Sequence, residues 1–369
     1  MDAPQYRLRL IDLAAAIVIV VILLALLLPA MQANRGPRRR SECLSRMGEL
    51  VKAMQQFEIA KQRYPGYLEG FGEDANGSSK VGTWAVALLP YLEQEPLYEK
   101  WQDPSTTAQW NSQGGFADEN KLFYPTINLF MCPNDEVKAD SRVSSGQNSY
   151  VCNAGLFPAP LPSNYSSLGA HEIAQRSTRP ENGVASNQLP KIVSSCYTSG
   201  KPMAVLGSRA TMPTTSKDIH DGLTQTLAFT ENLQANQWGY VGKPGPWSTT
   251  VVDGVAYAGD DLHPDDSPRL HIGFVWLCRT QSEERRSKPV GIRNKIKSGW
   301  ISDRLSTAES ARPSSAHSGI VSVAMLGGSV STMSNQIDYH VYQALVTPHT
   351  SESDVPDKTY VLKEADYTQ

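Results

Sequence analysis

The chain has 369 residues, with 34 Lys and Arg against 37 Asp and Glu, for a net charge of -3. A hydrophobic content of 40% supports a packed core and excludes wholesale disorder, and the length allows roughly two domains. The near-balanced charge excludes a global basic field, so no nucleic-acid partner is expected. Five cysteines in a chain of this length also exclude a small disulfide scaffold.

The N-terminus carries an uninterrupted apolar run, sixteen residues from Leu13 to Leu28. With its apolar neighbours it reaches the ~20 residues that a helix needs to cross a bilayer. We therefore expect a short leader over 1–9 and a membrane helix over 10–31, with the lipid bilayer as its partner. A cleaved signal peptide is the alternative, but the exit around Met31 lacks an A-x-A-like site. Arginines follow the run more densely than they precede it. The positive-inside rule would therefore keep most of the chain in the cytoplasm. Physical arguments alone leave the orientation open.

The next segment has apolar residues at helical spacing from Leu44 to Phe57. This pattern predicts that the helix continues over 32–63 and ends before Tyr64-Pro65. A separate helix after a break at Arg35-Gly36-Pro37 is equally compatible with the spacing.

The remainder is predicted to form a β-rich head over 64–350 and a tail over 351–369. Trp84 to Trp101 reads as short helical pieces broken at Pro90 and Pro96. Loop-rich insertions are expected at about 157–217 and 236–267. Apolar segments bounded by turn signals predict four strands: Ser149–Asn153, Thr226–Thr230, Ile272–Cys278 and Ile320–Leu326.

The segment RLRLIDLAAAIVIVVILLALLLPAMQ resembles the cleavage and methylation segment of type IV prepilins and type II secretion pseudopilins. The resemblance places Arg7 where the family has the glycine before the cut, Leu8 at the new N-terminus, and Asp12 where the family has a glutamate. In a filament, that acid would neutralise a neighbouring subunit's terminal amine. An ordinary signal anchor is the competing interpretation.

Further blocks follow in order: LLPYLEQEPLY, FMCPND, NSYVCNAG, IHDGLTQTLAFTEN and HSGIVSVAMLGGSV. Together they resemble a large bacterial family of prepilin-like proteins, domain-of-unknown-function family 1559. The resemblance implies an α+β, pilin-like fold, in which a long N-terminal transmembrane helix packs on an antiparallel β-rich head with long loop insertions. It also implies a single-pass protein of the bacterial inner membrane with an extracytoplasmic head.

That family closes with a His, nine residues, and Asp-Gly; here the positions are His317, Gly327 and Gly328. Two strand-like runs flank the Gly-Gly pair, which suits a type I′ or II′ hairpin turn. If the family's Asp pairs with the His, binds a metal or does acid–base work, this chain has lost that role; if it shapes a turn, nothing is lost. We favour the turn, and a structural role for His317 in hydrogen bonding to nearby backbone.

The remaining candidate residues have structural alternatives. Glu231 at a strand end is compatible with catalysis, but more often such a residue only closes a strand. The carboxylates around His263 lack the EF-hand pattern, so a solvated acidic loop is favoured over calcium. If the head is extracytoplasmic, Cys43 and Cys132 could pair; buried thiols are the alternative.

No catalytic or cofactor-binding motif is present in the sequence. We therefore expect no catalytic residues, no cofactor and no metal. The main hypothesis is a membrane-anchored pseudopilin-like protein that acts in assembly or in contact with pilin-like subunits or other envelope proteins. The alternative is a tethered enzymatic or ligand-binding head that stacks polysaccharide on Trp238, Tyr240 and Trp247.

Overall fold

A computed structural model of the chain describes residues 13–23, 35–73, 79–105, 125–135, 146–157, 179–188, 213–235, 237–239, 250–252, 255–257, 270, 272–278 and 311–367. The helices are α1 (residues 13–23), α2 (Arg35–Lys61), α3 (Trp84–Leu88), α4 (Glu95–Gln102) and α5 (Tyr339–Val346). The strands are β1 (Leu68–Glu73), β2 (Ser79–Thr83), β3 (Tyr150–Leu156), β4 (Asn187–Gln188), β5 (Leu227–Glu231), β6 (Thr250–Val252), β7 (Val255–Tyr257), β8 (Gly273–Trp276), β9 (Ile320–Met325) and β10 (Val330–Ser334). This is an α+β architecture, as predicted.

The membrane helix predicted over 10–31 is described only between residues 13 and 23, where the apolar side chains of α1 are exposed. Within the described part of the chain, no helix combines the length and apolarity needed to cross a membrane. The candidate processing positions Arg7, Leu8 and Asp12 lie outside the described residues.

Helix α2 occupies the segment predicted as the continuation of the N-terminal helix. Gly36 and Pro37 lie inside its first turn, where proline removes no helical hydrogen bond because the first N–H groups have no partner there. Gly36 and Pro37 therefore do not interrupt α2, which already begins at Arg35. Residues 24–34, through which α1 and α2 would join, lie outside the described residues.

One face of α2 is buried from Cys43 to Phe57, as its apolar spacing predicts. The buried side chains of this face are Cys43, Met47, Leu50, Val51, Met54 and Phe57. Ile59 on the other side is 69% exposed. Burial of each large apolar side chain contributes about 1.5–3 kcal/mol, so this face holds the helix firmly against β5, β9 and β10.

The central sheet has five strands in the order β10-β9-β5-β3-β8. Four of them are the predicted strands, with bounds shifted by up to three residues, and β10 is the strand-like run predicted after the Gly-Gly pair. All neighbours are antiparallel except β3 and β8, which run parallel with Cys152 opposite Gly273. The expected antiparallel sheet is therefore a mixed sheet, because the chain returns to the edge beside β3 in the same direction.

Side chains alternate between the two faces of this sheet. Phe229 and Ala324 contribute to the core beneath α2, together with Trp84 of α3. Leu227 and Val323 contribute to a second core, which includes Tyr342 of α5. Helices thus cover both faces of the sheet. The end of its central strand β5, at Glu231, is buried.

Two smaller sheets lie outside the central one. Strand β1 pairs antiparallel with β2 and parallel with β4, and β6 pairs with β7. In the helical region, Pro90 lies near the start of a short 3-10 helix, Leu89–Leu92, and Pro96 near the start of α4. Both prolines therefore open a helical piece, where their fixed φ is favourable.

Candidate functional site

Four potential ligand residues from distant parts of the sequence meet beneath α2. Cys43 lies on α2, Cys132 follows the short 3-10 helix Asn128–Phe130, Glu231 ends β5, and His317 lies three residues before β9. Their donor atoms all lie within 4.8 Å of one another. All four side chains are buried, so the packed α2–sheet interface determines their positions.

The imidazole of His317 is the centre of this cluster. Its Nε2 atom lies 3.3 Å from Cys43 Sγ, 3.6 Å from Cys132 Sγ and 3.4 Å from Glu231 Oε1. The sequence predicts only a hydrogen bond from His317 to nearby backbone, and it gives no sign of these three side-chain neighbours. One ring nitrogen faces two sulfurs and a carboxylate at once.

Cys43 and Cys132 are joined by a disulfide, one of the two alternatives that the sequence allowed. Their Cα atoms are 5.2 Å apart, within the usual range for a cystine. Cys152 and Cys278 are free and buried, and Cys196 lies outside the described residues. The cross-link ties α2 to the loop after residue 130.

Glu231 presents a buried carboxylate with two unlike oxygens. Its Oε2 accepts a hydrogen bond from the Ser322 backbone N–H at 3.0 Å. Its Oε1 has no hydrogen-bond partner, although it lies 3.4 Å from His317 Nε2. A buried anionic oxygen in this state carries a desolvation cost that a cation would offset.

The loops around the cluster are held by further hydrogen bonds. The Asn134 side chain donates to the Ala316 carbonyl at 2.7 Å, which ties the Cys132 turn to the His317 segment. Ser149 donates to Asp135 Oδ2 at 2.9 Å and pins the same turn to the start of β3. These bonds hold the turn that carries Cys132 against the His317 segment and the start of β3.

Tyr150 lies opposite Glu231 across the β3–β5 ladder. Burial, reinforced by the negative charge of Glu231, raises the pKa of its phenol well above the ordinary value. Its hydroxyl lies 3.4 Å from the Cys43 carbonyl. Tyr150 is therefore neutral at physiological pH and contributes a hydrogen-bond donor, rather than a charge, to the site.

The family model described as "Protein of unknown function (DUF1559)" matches residues 32–340. The chain belongs to this family. No curated protein and no solved structure gives a significant match. The match begins after the apolar run, so it includes all four clustered residues of this DUF1559 chain but not the candidate processing positions.

The two ends of the closing motif of this DUF1559 chain, His317 and Gly327, lie at opposite ends of strand β9. His317 precedes β9 and Gly327 follows it, and the six residues of β9 separate their backbones by roughly 16 Å. A side chain at position 327 therefore does not reach His317. The motif's Asp position lies in a turn, which agrees with the interpretation that we favoured.

The hairpin itself differs from the two-residue turn that we predicted. Gly328 has φ +92°, whereas Gly327 is outside the left-handed region. The Gly328 N–H donates to the Met325 carbonyl, and the Met325 N–H donates to the Ser329 carbonyl. Type I′ needs positive φ at both central residues and type II′ at the first, so this is a longer loop. Gly328 alone of the pair has a φ that favours glycine, and a Cβ at Gly327 would lie 3.3 Å from the Leu223 carbonyl oxygen.

Trp238, one of the aromatics proposed to stack on sugar rings, is fully buried in the DUF1559 fold. Its indole N–H donates to the Pro125 carbonyl at 2.9 Å, and its ring lies 5.7 Å from that of Phe130. It anchors its loop and has no face open to a glycan. Tyr240 and Trp247 lie outside the described residues, as do the acidic residues flanking His263.

A cleft of about 420 Å³ lies between α2 and β1. Arg63 and Glu69 line it and form a two-pronged salt bridge, at 2.6 and 2.8 Å. The Arg63 guanidinium also lies 5.2 Å from the centre of the Phe57 ring. Arg63 and Glu69 are thus paired with each other, and Lys61, which also lines the cleft, is exposed. These groups indicate no particular ligand.

Proposed function

We propose that this DUF1559 chain is a membrane-anchored, pseudopilin-like protein with a structural or partner-contact role at the bacterial cell envelope. The observation that carries the proposal is the 27-residue helix α2, one face of which packs on the central sheet. In the sequence this helix begins at Arg35, and six residues separate it from the apolar run from Leu13 to Leu28. An apolar N-terminal segment leading into a helix that packs on a β-rich head is the pilin plan.

In this proposal the segment 10–31 spans the inner membrane and the head lies on the outer side. The Cys43–Cys132 disulfide supports that orientation, because disulfides persist in oxidising compartments such as the periplasm. The arginines after residue 34 argue for the opposite orientation. A reporter fused to the C-terminus decides between them: alkaline phosphatase activity is expected, whereas a fluorescent cytoplasmic reporter would refute the outward head.

Entry into a pilin-type pathway is tested by the intact mass and N-terminal sequence of the chain isolated from its native membranes. A start at Leu8 with a methylated amine supports processing. A start at Met1 or Asp2 in the membrane fraction refutes processing and leaves a permanent anchor. A start near Asn34 refutes the anchor itself.

The variant Arg7→Gly restores the residue that the prepilin family has before the cut. We expect it to increase the processed fraction if the pathway recognises this segment. Asp12→Ala in the same background removes the acid that would pair with a neighbouring terminal amine. It is expected to reduce co-purification with other pilin-like subunits while leaving the processed mass unchanged.

A further inference from the structure

We propose that the dithiol form of this protein binds one zinc ion through Cys43 Sγ, Cys132 Sγ, His317 Nε2 and Glu231 Oε1. The inference is independent of the envelope role, since it depends only on these four side chains. They are the one group of three or more such donors that converges in the described part of the chain. Thiolate and imidazole are the ligands that zinc prefers, and a carboxylate completes many of its sites.

The distances around His317 match the edges of a tetrahedral zinc site. Zinc–sulfur bonds of ~2.3 Å and zinc–nitrogen or –oxygen bonds of ~2.0 Å place sulfur and nitrogen ligands ~3.5 Å apart, and nitrogen and oxygen ligands ~3.3 Å apart. The observed separations from Nε2 are 3.3 and 3.6 Å to the sulfurs and 3.4 Å to Oε1. In the disulfide form, three of the six edges are therefore already close to their required length.

The carboxylate is oriented for this role. Its Oε2 is held by the Ser322 backbone N–H, while its Oε1 faces the cluster, has no hydrogen-bond partner and belongs to a side chain that is only 3% exposed. Hydrogen bonds from the protein to the outer oxygen of a carboxylate ligand are the usual way in which metal sites fix their ligands. A zinc ion would give this buried carboxylate oxygen a cationic partner.

The disulfide and the metal exclude each other, since zinc needs the sulfurs ~3.8 Å apart. A phosphine reductant supplies two electrons and becomes its oxide, and two protons from solvent convert the disulfide into two thiols. Zinc binding then releases both thiol protons, which leaves two thiolates and one carboxylate around the ion. Rotation of the two cysteine side chains opens the sulfurs while α2 stays in place.

The test uses the full-length chain in mild detergent, stripped with a chelator and divided into an oxidised and a phosphine-reduced sample under argon. Each is titrated with Co²⁺ as a spectroscopic substitute for zinc. The reduced sample is expected to bind one Co²⁺ with visible tetrahedral bands and a near-ultraviolet thiolate charge-transfer band, and Zn²⁺ is expected to abolish both. The oxidised sample is expected to show neither.

The variants identify the ligands. We expect Glu231→Gln and His317→Ala to weaken binding at least about tenfold, because even supporting groups of metal sites contribute that much. Cys152→Ala, which removes a buried thiol of β3 outside the cluster, is the matched control and is expected to bind as the parent chain does. Circular dichroism of the reduced, metal-free variants under the conditions of the titration separates lost ligation from misfolding.

The proposal is overturned if the reduced parent chain binds neither Co²⁺ nor Zn²⁺. It is also overturned if folded Glu231→Gln and His317→Ala variants bind as tightly as the parent, or if the thiolate charge-transfer band disappears in Cys152→Ala. Because none of these readouts depends on membrane insertion or processing, their failure is distinguishable from failure of the envelope role.

Discussion

Removing the cross-link between α2 and the Cys132 turn is expected to lower the free energy of unfolding by about 4–5 kcal/mol. The value follows from the sequence separation of 89 residues, because closing a loop of that length removes this much chain entropy from the unfolded state. The change is the double variant Cys43→Ala/Cys132→Ala. Urea unfolding of the full chain in detergent with a chelator, followed by the fluorescence of buried Trp84 and Trp276, measures it.

Two controls isolate the cross-link from packing. Cys152→Ala removes one buried thiol without a cross-link, and its cost is subtracted for each cysteine. A thiol reductant should destabilise the parent chain by a similar amount and leave the double variant unchanged. A loss below about 1 kcal/mol, or an equal response of both chains to reductant, would refute the reasoning, because the two sulfurs would then not be bonded in the folded protein.

Three further outcomes are expected. Gly328→Ala should cost about 1–3 kcal/mol in urea unfolding, because its φ of +92° is unfavourable for a side chain; an unchanged midpoint would contradict the turn. Gly327→Asp should change stability by less than about 1 kcal/mol, equally with and without divalent metal, since it lies outside the left-handed region and far from His317; a large metal-dependent gain would refute this. Burial raises the pKa of the Cys152 thiol, so iodoacetamide at pH 8 should modify it only in denaturant, and rapid labelling of the native chain would show an opened core.

The elements that were predictable are those with a strong local pattern. Helix α2 has a continuous apolar stripe, and β3, β5, β8 and β9 are short apolar runs between turn residues. Strands β1 and β2 escaped prediction because LEGFGE and SKVGT have too few apolar residues and too many glycines to produce alternation. The parallel pairing of β3 and β8 depends on how the chain connects distant segments, and a local sequence pattern cannot predict such a connection.

The site was missed because its residues lie far apart in the sequence. Cys43, Cys132, Glu231 and His317 were each noted, and each alone has an ordinary structural explanation. Each of the four residues lies in or next to an apolar segment that is buried in the fold. This shared position beside apolar segments is the sequence signal from which a common buried site could have been predicted. Only the strand order, which puts β5 next to β9, brings the glutamate to the histidine.

That strand order has a consequence for how the chain acquires its structure during synthesis. Strand β5 leaves the ribosome long before β9, its partner on one side, so its backbone N–H and C=O groups stay open along that edge for the next ninety or so residues. An open apolar edge is a template for pairing between chains. A chain truncated before residue 320 should therefore aggregate rather than yield a smaller soluble head. Strand β9 is the element that covers the open edge of β5 and so prevents pairing between chains.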